Sequence, residues 1–323
     1  MGARPAVCAA DGRRDARRQD RGLGRRGQPH AEPALTVASD RVTLLGTKGG
    51  PAIYPGAPVR MPTATLVEMA GQRIAVDCGL GVTRALVGTG MHLRDLTSVI
   101  VTHLHSDHYL ELGPLIHTAW TAGLKTPVAV YGPAGLAACW EAFLRSMAFD
   151  IETRIADEGR PDLAGLVHLH TIGEGVFAEI GDVAVSAIRN AHPPITDSYA
   201  VKLEAGGKAV VLSGDTAPFD GMAGFARGAD LLVHEAMIAE GVDRLVARVG
   251  NGERLKAHLE ASHTEAVDVG RLAAKAGVRA LALNHLIPVD DPAIGNDNWE
   301  RAVRAGGYEG PLHIGQDGMA IGL

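Results

Sequence analysis

Cysteine, aromatic residues and long apolar runs are all scarce in this 323-residue chain, and each scarcity excludes something. The three cysteines, Cys8, Cys78 and Cys139, are widely spaced and odd in number. They offer neither a disulfide framework nor a cysteine-ligated metal site, and read as ordinary reduced or buried thiols. Aromatics make up 4% of the chain against 46% hydrophobic residues and 41 glycines, so a core would have to be built from Ala, Val and Leu with many tight turns, as in α/β proteins. No stretch approaches the ~18 apolar residues of a membrane span. The arginine-rich start also lacks the apolar core of a secretory signal, so no membrane partner is expected and a cytoplasmic location is the default.

Basic charge is scarce outside the first thirty residues, where eight arginines face only Asp11, Asp15 and Asp20. The remainder holds 23 basic and 34 acidic residues, a net −11 beneath the overall −6. A body that acidic repels polyanions at long range, which weighs against a strong nucleic-acid surface. Residues 1–40 read as a disordered arginine-rich tail, a polyanion-binding arm being the sharper alternative, and residues 41–323 as a single domain.

What is present is a layered α/β pattern. Strand-length apolar runs occur at 41–47, 65–69, 73–77, 98–102, 128–131, 183–188, 209–213, 230–234 and 279–284. Helices are expected near 81–89, 110–123, 133–147, 217–227, 238–250 and 264–276. For the last, Ser262 and Glu265 have capping-box spacing and Gly277 supplies the stop. Two mixed β-sheets between layers of helices follow from this order. The Gly/Pro-rich segment 46–63 is a long loop of the kind that carries function, which would place Tyr54 and Arg60 at the rim of a substrate cleft.

The densest chemistry lies in VIVTHLHSDHYLELG (99–113), where His103, His105, Asp107 and His108 follow a β-branched strand. Alternation puts His103 and His105 on one side of the extended chain, with Asp107 and His108 at the turn into a helix. Such a strip can serve two metal ions about 3.5 to 4 Å apart. Imidazole with carboxylate suits zinc, with manganese or iron able to substitute. Further ligands are sought where other apolar runs stop, and His192, Asp215 and His285 each end one. Side chains placed so project from the carboxyl edge of a sheet into a common cleft.

The order of these residues resembles the metallo-β-lactamase superfamily, whose HxHxDH signature stands here as His103, His105, Asp107 and His108, and the resemblance runs from about residue 42 to the C-terminus. It implies a four-layer αββα sandwich of two mixed sheets flanked by helices, and a dinuclear hydrolase loaded with two Zn2+. It assigns His103, His105 and His192 to one ion, Asp107, His108 and His285 to the other, and Asp215 to both. Asp77 matches a position that orients a ligand histidine.

Further segments resemble the ribonuclease Z branch: LGTKGGPAIYPG, VYGPAGL (130–136), LVHEA (232–236) and SHTEA (262–266). In that branch the glutamate and histidine of the last two cooperate, the histidine giving a proton to the leaving oxygen, which implies these roles for Glu235 and His263. His234 reads as structural, and His92, His117, His168, His170, His258 and His313 stay unassigned. One departure from the branch stands out: its tRNA-processing members insert a long basic arm before the third ligand histidine, whereas residues 137–190 here contain the acidic AFDIETRIADEGRPDLAG. A compact or short phosphodiester is therefore the expected substrate, attacked by a metal-bridging hydroxide, and a homodimer stays open. The competing expectation is a lactonase, esterase or β-lactamase-like enzyme on the same metal core. A redox iron site is disfavoured, since the family's di-iron reductases usually have Glu where this chain has His105.

Overall fold

The computed structural model describes residues 40–53, 59–248 and 252–323. The tail expected over residues 1–40 lies, but for Asp40, outside them, as does Tyr54. Among the described residues no helix is long and apolar enough to cross a membrane.

The first half of the chain builds one seven-stranded sheet. Strands β1 (Arg41–Gly46), β2 (Ala64–Met69) and β3 (Gln72–Val76) form an antiparallel meander. Helix α1 (Val82–Gly88) then leads to β4 (Ser98–Ile100), and α2 (Ser106–Tyr109) and α3 (Leu112–Thr121) lead to β5 (Val128–Gly132). Helices α4 (Leu136–Glu158) and α5 (Leu163–Leu166) lead to β6 (Val167–Thr171), so β3 to β6 run parallel.

The second half repeats the plan. Strands β7 (Gly175–Ile180), β8 (Val183–Arg189), β9 (Tyr199–Ala205) and β10 (Lys208–Leu212) are antiparallel. Parallel β11 (Leu231–Met237) follows α6 (Gly221–Phe225), and helices α7 (Ala239–Val246), α8 (Gly252–Ser262) and α9 (Ala266–Ala276) lead to parallel β12 (Ala280–Ile287). After α10 (Asn296–Ala305), β13 (Leu312–Ile314) extends this sheet, while β14 (Met319–Gly322) crosses to pair with β1 in the first. The orders are β14-β1-β2-β3-β4-β5-β6 and β13-β12-β11-β10-β9-β8-β7.

Strand alternation distributes the core over three layers. In the first sheet Val42, Leu44, Val67, Ile74 and Val76 meet Val185, Val201, Leu203, Val210 and Val233 of the second. Their neighbours Leu66, Ala75 and Val99 face outward against α1, α3 and α4. On the far side Val211, Leu232 and Leu281 pack on α6, α9 and α10. With both faces covered, the strands need apolar residues at nearly every position, which is why they read as continuous runs. This is the αββα sandwich of the metallo-β-lactamase fold.

Several local expectations are corrected. The helix expected over 133–147 continues to Glu158, and the one over 238–250 is confined to α7, with α8 following. Ser262 and Glu265 form no capping box: the Ser262 hydroxyl donates to the Pro193 carbonyl at 2.6 Å, and Glu265 precedes α9 without a side-chain cap bond. Gly277 does close α9, in the left-handed region at φ 63°. Arg60 does not reach a cleft rim. Its guanidinium donates to the Thr47 hydroxyl (3.1 Å) and the Gly315 carbonyl (2.6 Å), bracing the 46–63 loop against the C-terminal segment. Residues 137–190 are taken up by α4, α5 and strands of both sheets.

Candidate metal centre

The carboxyl ends of the parallel strands in both sheets, joined by loops after β8 and β10, converge on one cleft. His103, His105, Asp107 and His108 follow β4, Asp215 follows β10, His285 lies near the end of β12, and His192 follows β8. All but His105 are buried. His103 Nε2 and His192 Nε2 lie 3.2 and 2.9 Å from His105 Nδ1, and 3.7 and 4.0 Å from Asp215 Oδ2. Beside this nest, His285 Nε2 lies 3.2 Å from Asp107 Oδ2 and 3.0 Å from Asp215 Oδ2, while His108 Nε2 is 3.3 Å from Asp215 Oδ1. Two compact donor sets therefore share the Asp215 carboxylate, and Glu235, His263 and His285 form a third close group beside them.

The partners behind three of these rings occupy Nδ1 and leave Nε2 facing the cleft. His108 Nδ1 donates to Asp77 Oδ2 at 2.8 Å, and His192 Nδ1 donates to the Ser262 carbonyl at 3.1 Å. Asp77 also accepts from the Thr102 amide (2.8 Å) and hydroxyl (3.0 Å), and that hydroxyl sits 3.1 Å from His103 Nδ1. Asp77 thus anchors one histidine of each donor set, His108 directly and His103 through Thr102, and its φ of 64° is the backbone turn that aims it there. His285 has φ 42° at a register slip between β11 and β12, a bulge that swings its ring into the cleft. Two deeply buried polar atoms, His108 Nε2 and Asp215 Oδ1, lack a hydrogen-bond partner. Orphaned donors of this kind, converging with seven imidazole and carboxylate groups, suit divalent cations.

Electrostatics divide the nest. Burial, opposed only in part by carboxylates, depresses His103 and His105 and pulls His192 down to about 4. At His108 and His285 burial is outweighed by Asp215 and its neighbouring carboxylates, so both are raised, His285 to about 10. Burial would raise Asp107 and Asp215, but His108 and His285 hold both carboxyls below the usual range.

Glu235 and His263 stand next to the second donor set. His263 stacks on His285 with ring centres 5.3 Å apart, and its Nδ1 is 3.4 Å from Glu235 Oε2, close but not aligned as a hydrogen bond. The other oxygen of Glu235 accepts from the Thr264 amide at 2.7 Å. His234, by contrast, is turned onto the Glu235 carbonyl (2.7 Å) and takes no part.

The cleft above these groups has a volume of about 300 Å³. One wall is the loop Lys48–Ala52, whose Gly50 amide donates to Asp107 Oδ2 at 2.9 Å. Leu245, Leu255, Leu259 and His258, from α7 and α8, form another. His258 and Lys48 were not singled out from the sequence. His258 was detectable only through its place five residues before His263, and Lys48 only by following the LGT loop back across the strand ends.

Paired seven-stranded sheets with this histidine and aspartate cluster at their carboxyl edge define a metal-dependent hydrolase of the metallo-β-lactamase fold. A sequence family described as "Anti-Pycsar protein Apyc1" matches residues 49–246. Ribonuclease Z of Mycobacterium bovis (strain BCG / Pasteur 1173P2) is 32% identical over 279 residues, covering 85% of this chain and 95% of that protein. Among solved structures, the metallo-β-lactamase fold protein YhfI of Bacillus subtilis superposes with a TM-score of 0.64 at 23% identity, covering 87% of this chain and 99% of its own. Zn(2+)-bound PqqB of Methylobacterium extorquens gives 0.62 at 16% identity, covering 88% and 100%. The chain belongs to the ribonuclease Z-like branch of the metallo-β-lactamase superfamily.

Proposed function

We propose that the chain is a phosphodiesterase that hydrolyses a compact or short phosphodiester with two zinc ions, for which manganese or iron can substitute. His103, His105 and His192 would hold one ion, Asp107, His108 and His285 the other, with Asp215 common to both. Metal held there would supply the ionised water that serves as nucleophile and would neutralise charge on the phosphoryl oxygens. Asp215 fixes the spacing of the two donor sets, and Asp77 holds His108, directly, and His103, through Thr102, in the tautomer that presents Nε2. The observation that carries the reading is the Glu235–His263 pair beside the doubly used carboxylate. The His263 imidazole can pass a proton to a departing alkoxide, and Glu235 orients the ring. The similarity to a protein named Ribonuclease Z supports a phosphodiester as the substrate. The acidic sequence within 137–190 and the apolar wall of Leu245, Leu255 and Leu259 favour a small one.

The zinc-loaded protein is expected to hydrolyse bis-p-nitrophenyl phosphate, to lose that activity to a chelator and to regain it with zinc. Turnover of a lactone or β-lactam with no turnover of any phosphodiester would replace this reading with that of a carboxylic-substrate hydrolase.

A further inference from the structure

Among the residues that line the cleft, Lys48 carries the one ammonium group, and no part of the metal chemistry assigns it a task. Lys48 is 5% exposed, a rare state for lysine unless it is paired. Its backbone is fully committed: the amide donates to the Met61 carbonyl at 2.9 Å, and its own carbonyl accepts from the Thr63 hydroxyl at 3.3 Å. These bonds hold the residue between the first sheet and β12, next to the bulge that carries His285. The side chain is not committed. Its nearest carboxylate is Asp290, at 4.0 Å, the outer limit of an ion pair, and Asp290 gives its other oxygen to Arg248 at 3.2 Å. No hydrogen bond joins Lys48 Nζ to any described residue, yet Lys48 lines the same cleft as Asp107, Asp215, His263 and His285. Burial pulls the ammonium below its ordinary pKa, opposed by Asp290 and Asp107, which is the condition of a cation lacking a close anion.

We propose that Lys48 is the substrate's anion clamp, its ammonium binding a non-bridging oxygen of the phosphodiester. The inference rests on the phosphodiesterase reading and adds what that reading lacks, a contact made with the diester's charge in the ground state as well as in the transition state. Such uniform binding sets KM and leaves kcat nearly untouched. A flexible ammonium stem suits a point contact to phosphate, the bidentate fork of arginine being unnecessary where metal ions fix the geometry. Asp290 acts as the place-holder from which the ammonium is drawn.

The test compares wild-type and Lys48→Met protein, both zinc-loaded, in calorimetric titration with inorganic phosphate and in steady-state hydrolysis of bis-p-nitrophenyl phosphate. Methionine keeps the buried stem and removes only the charge. Phosphate Kd and diester KM are each expected to rise about tenfold, the worth of one charge-assisted hydrogen bond, with kcat within about threefold and zinc content unchanged. An unchanged phosphate Kd, or a fall in kcat with KM unmoved, overturns the assignment. Should Lys48→Met lose zinc or melt early, Lys48→Gln is read by the same two constants. If the wild-type protein turns over no phosphodiester at all, the proposed function falls while the phosphate titration still decides whether Lys48 binds the anion.

Discussion

Asp215 touches more of the centre than any other side chain: its two oxygens lie within 4 Å of nitrogens on His103, His108, His192 and His285. Asp215→Ala is expected to release metal as well as activity, because both donor sets lose a member at once. His263 differs in kind, since it stacks on the His285 ring and stands outside the two donor sets that share Asp215, grouping instead with Glu235 and His285. His263→Ala should therefore lower the rate about 10²-fold or more while metal content, measured by atomic absorption, stays near normal. Equal metal loss in the two variants would refute this division of roles. At this scale the candidate site was legible in the sequence: His103, His105, Asp107 and His108 crowd into six residues after a strand, while His192, Asp215 and His285 each end an apolar run, so all seven stood out. Lys48 and His258 did not, since a lysine in a Gly-rich loop and a histidine on a helix look like solvated residues until the cleft shows what they face.

Elements were legible where one rule governed them and illegible where two competed. The core strands announced themselves because both their faces are buried, but β13 and β14 are three and four residues long, partly exposed, and carry no such signal. Ser262 has a capping spacing, yet its hydroxyl found the Pro193 carbonyl, so a tertiary contact overrode a local one. A similar contest sets the crossing of α9 and α10. An ideal Cβ on Gly270 would lie 2.2 Å from the Val303 carbonyl oxygen, and one on Gly306 would lie 2.2 Å from that of Val267, so these helices meet backbone to backbone. Helix propensity alone would make Gly270→Ala stabilising by about 1 kcal/mol. Overpacking against a rigid backbone costs about 1–3 kcal/mol and prevails. The variant should show a lower urea midpoint with normal zinc content, because this contact belongs to the outer helix layer and not to the cleft edge. A midpoint at or above wild type would mean that the helices separate freely.

On the scale of the whole molecule, the two sheets meet at the centre between them, and the state of that joint depends on pH. Without metal, the buried nest holds His103, His105 and His192 neutral, while Asp215 and Asp107 keep protons on His108 and on His285, the latter raised to about 10 from 6.5. A group raised in the folded state stabilises it fully below the unfolded pKa and loses that contribution as pH climbs through the folded one. The metal-free protein should thus weaken as pH rises from about 7 to 10, His285 giving up the charge that compensates Asp215. Zinc loading reverses the sign, since a cation can enter only by expelling the protons of His108 and His285, and its affinity must therefore grow with pH. Calorimetric titration of zinc into metal-free protein at pH 7, in buffers of different ionisation enthalpy, is expected to show release of about two protons for a fully loaded centre. Loading without proton release would mean that the two imidazoles are already neutral, and that Asp107 and Asp215 are compensated by some other charge.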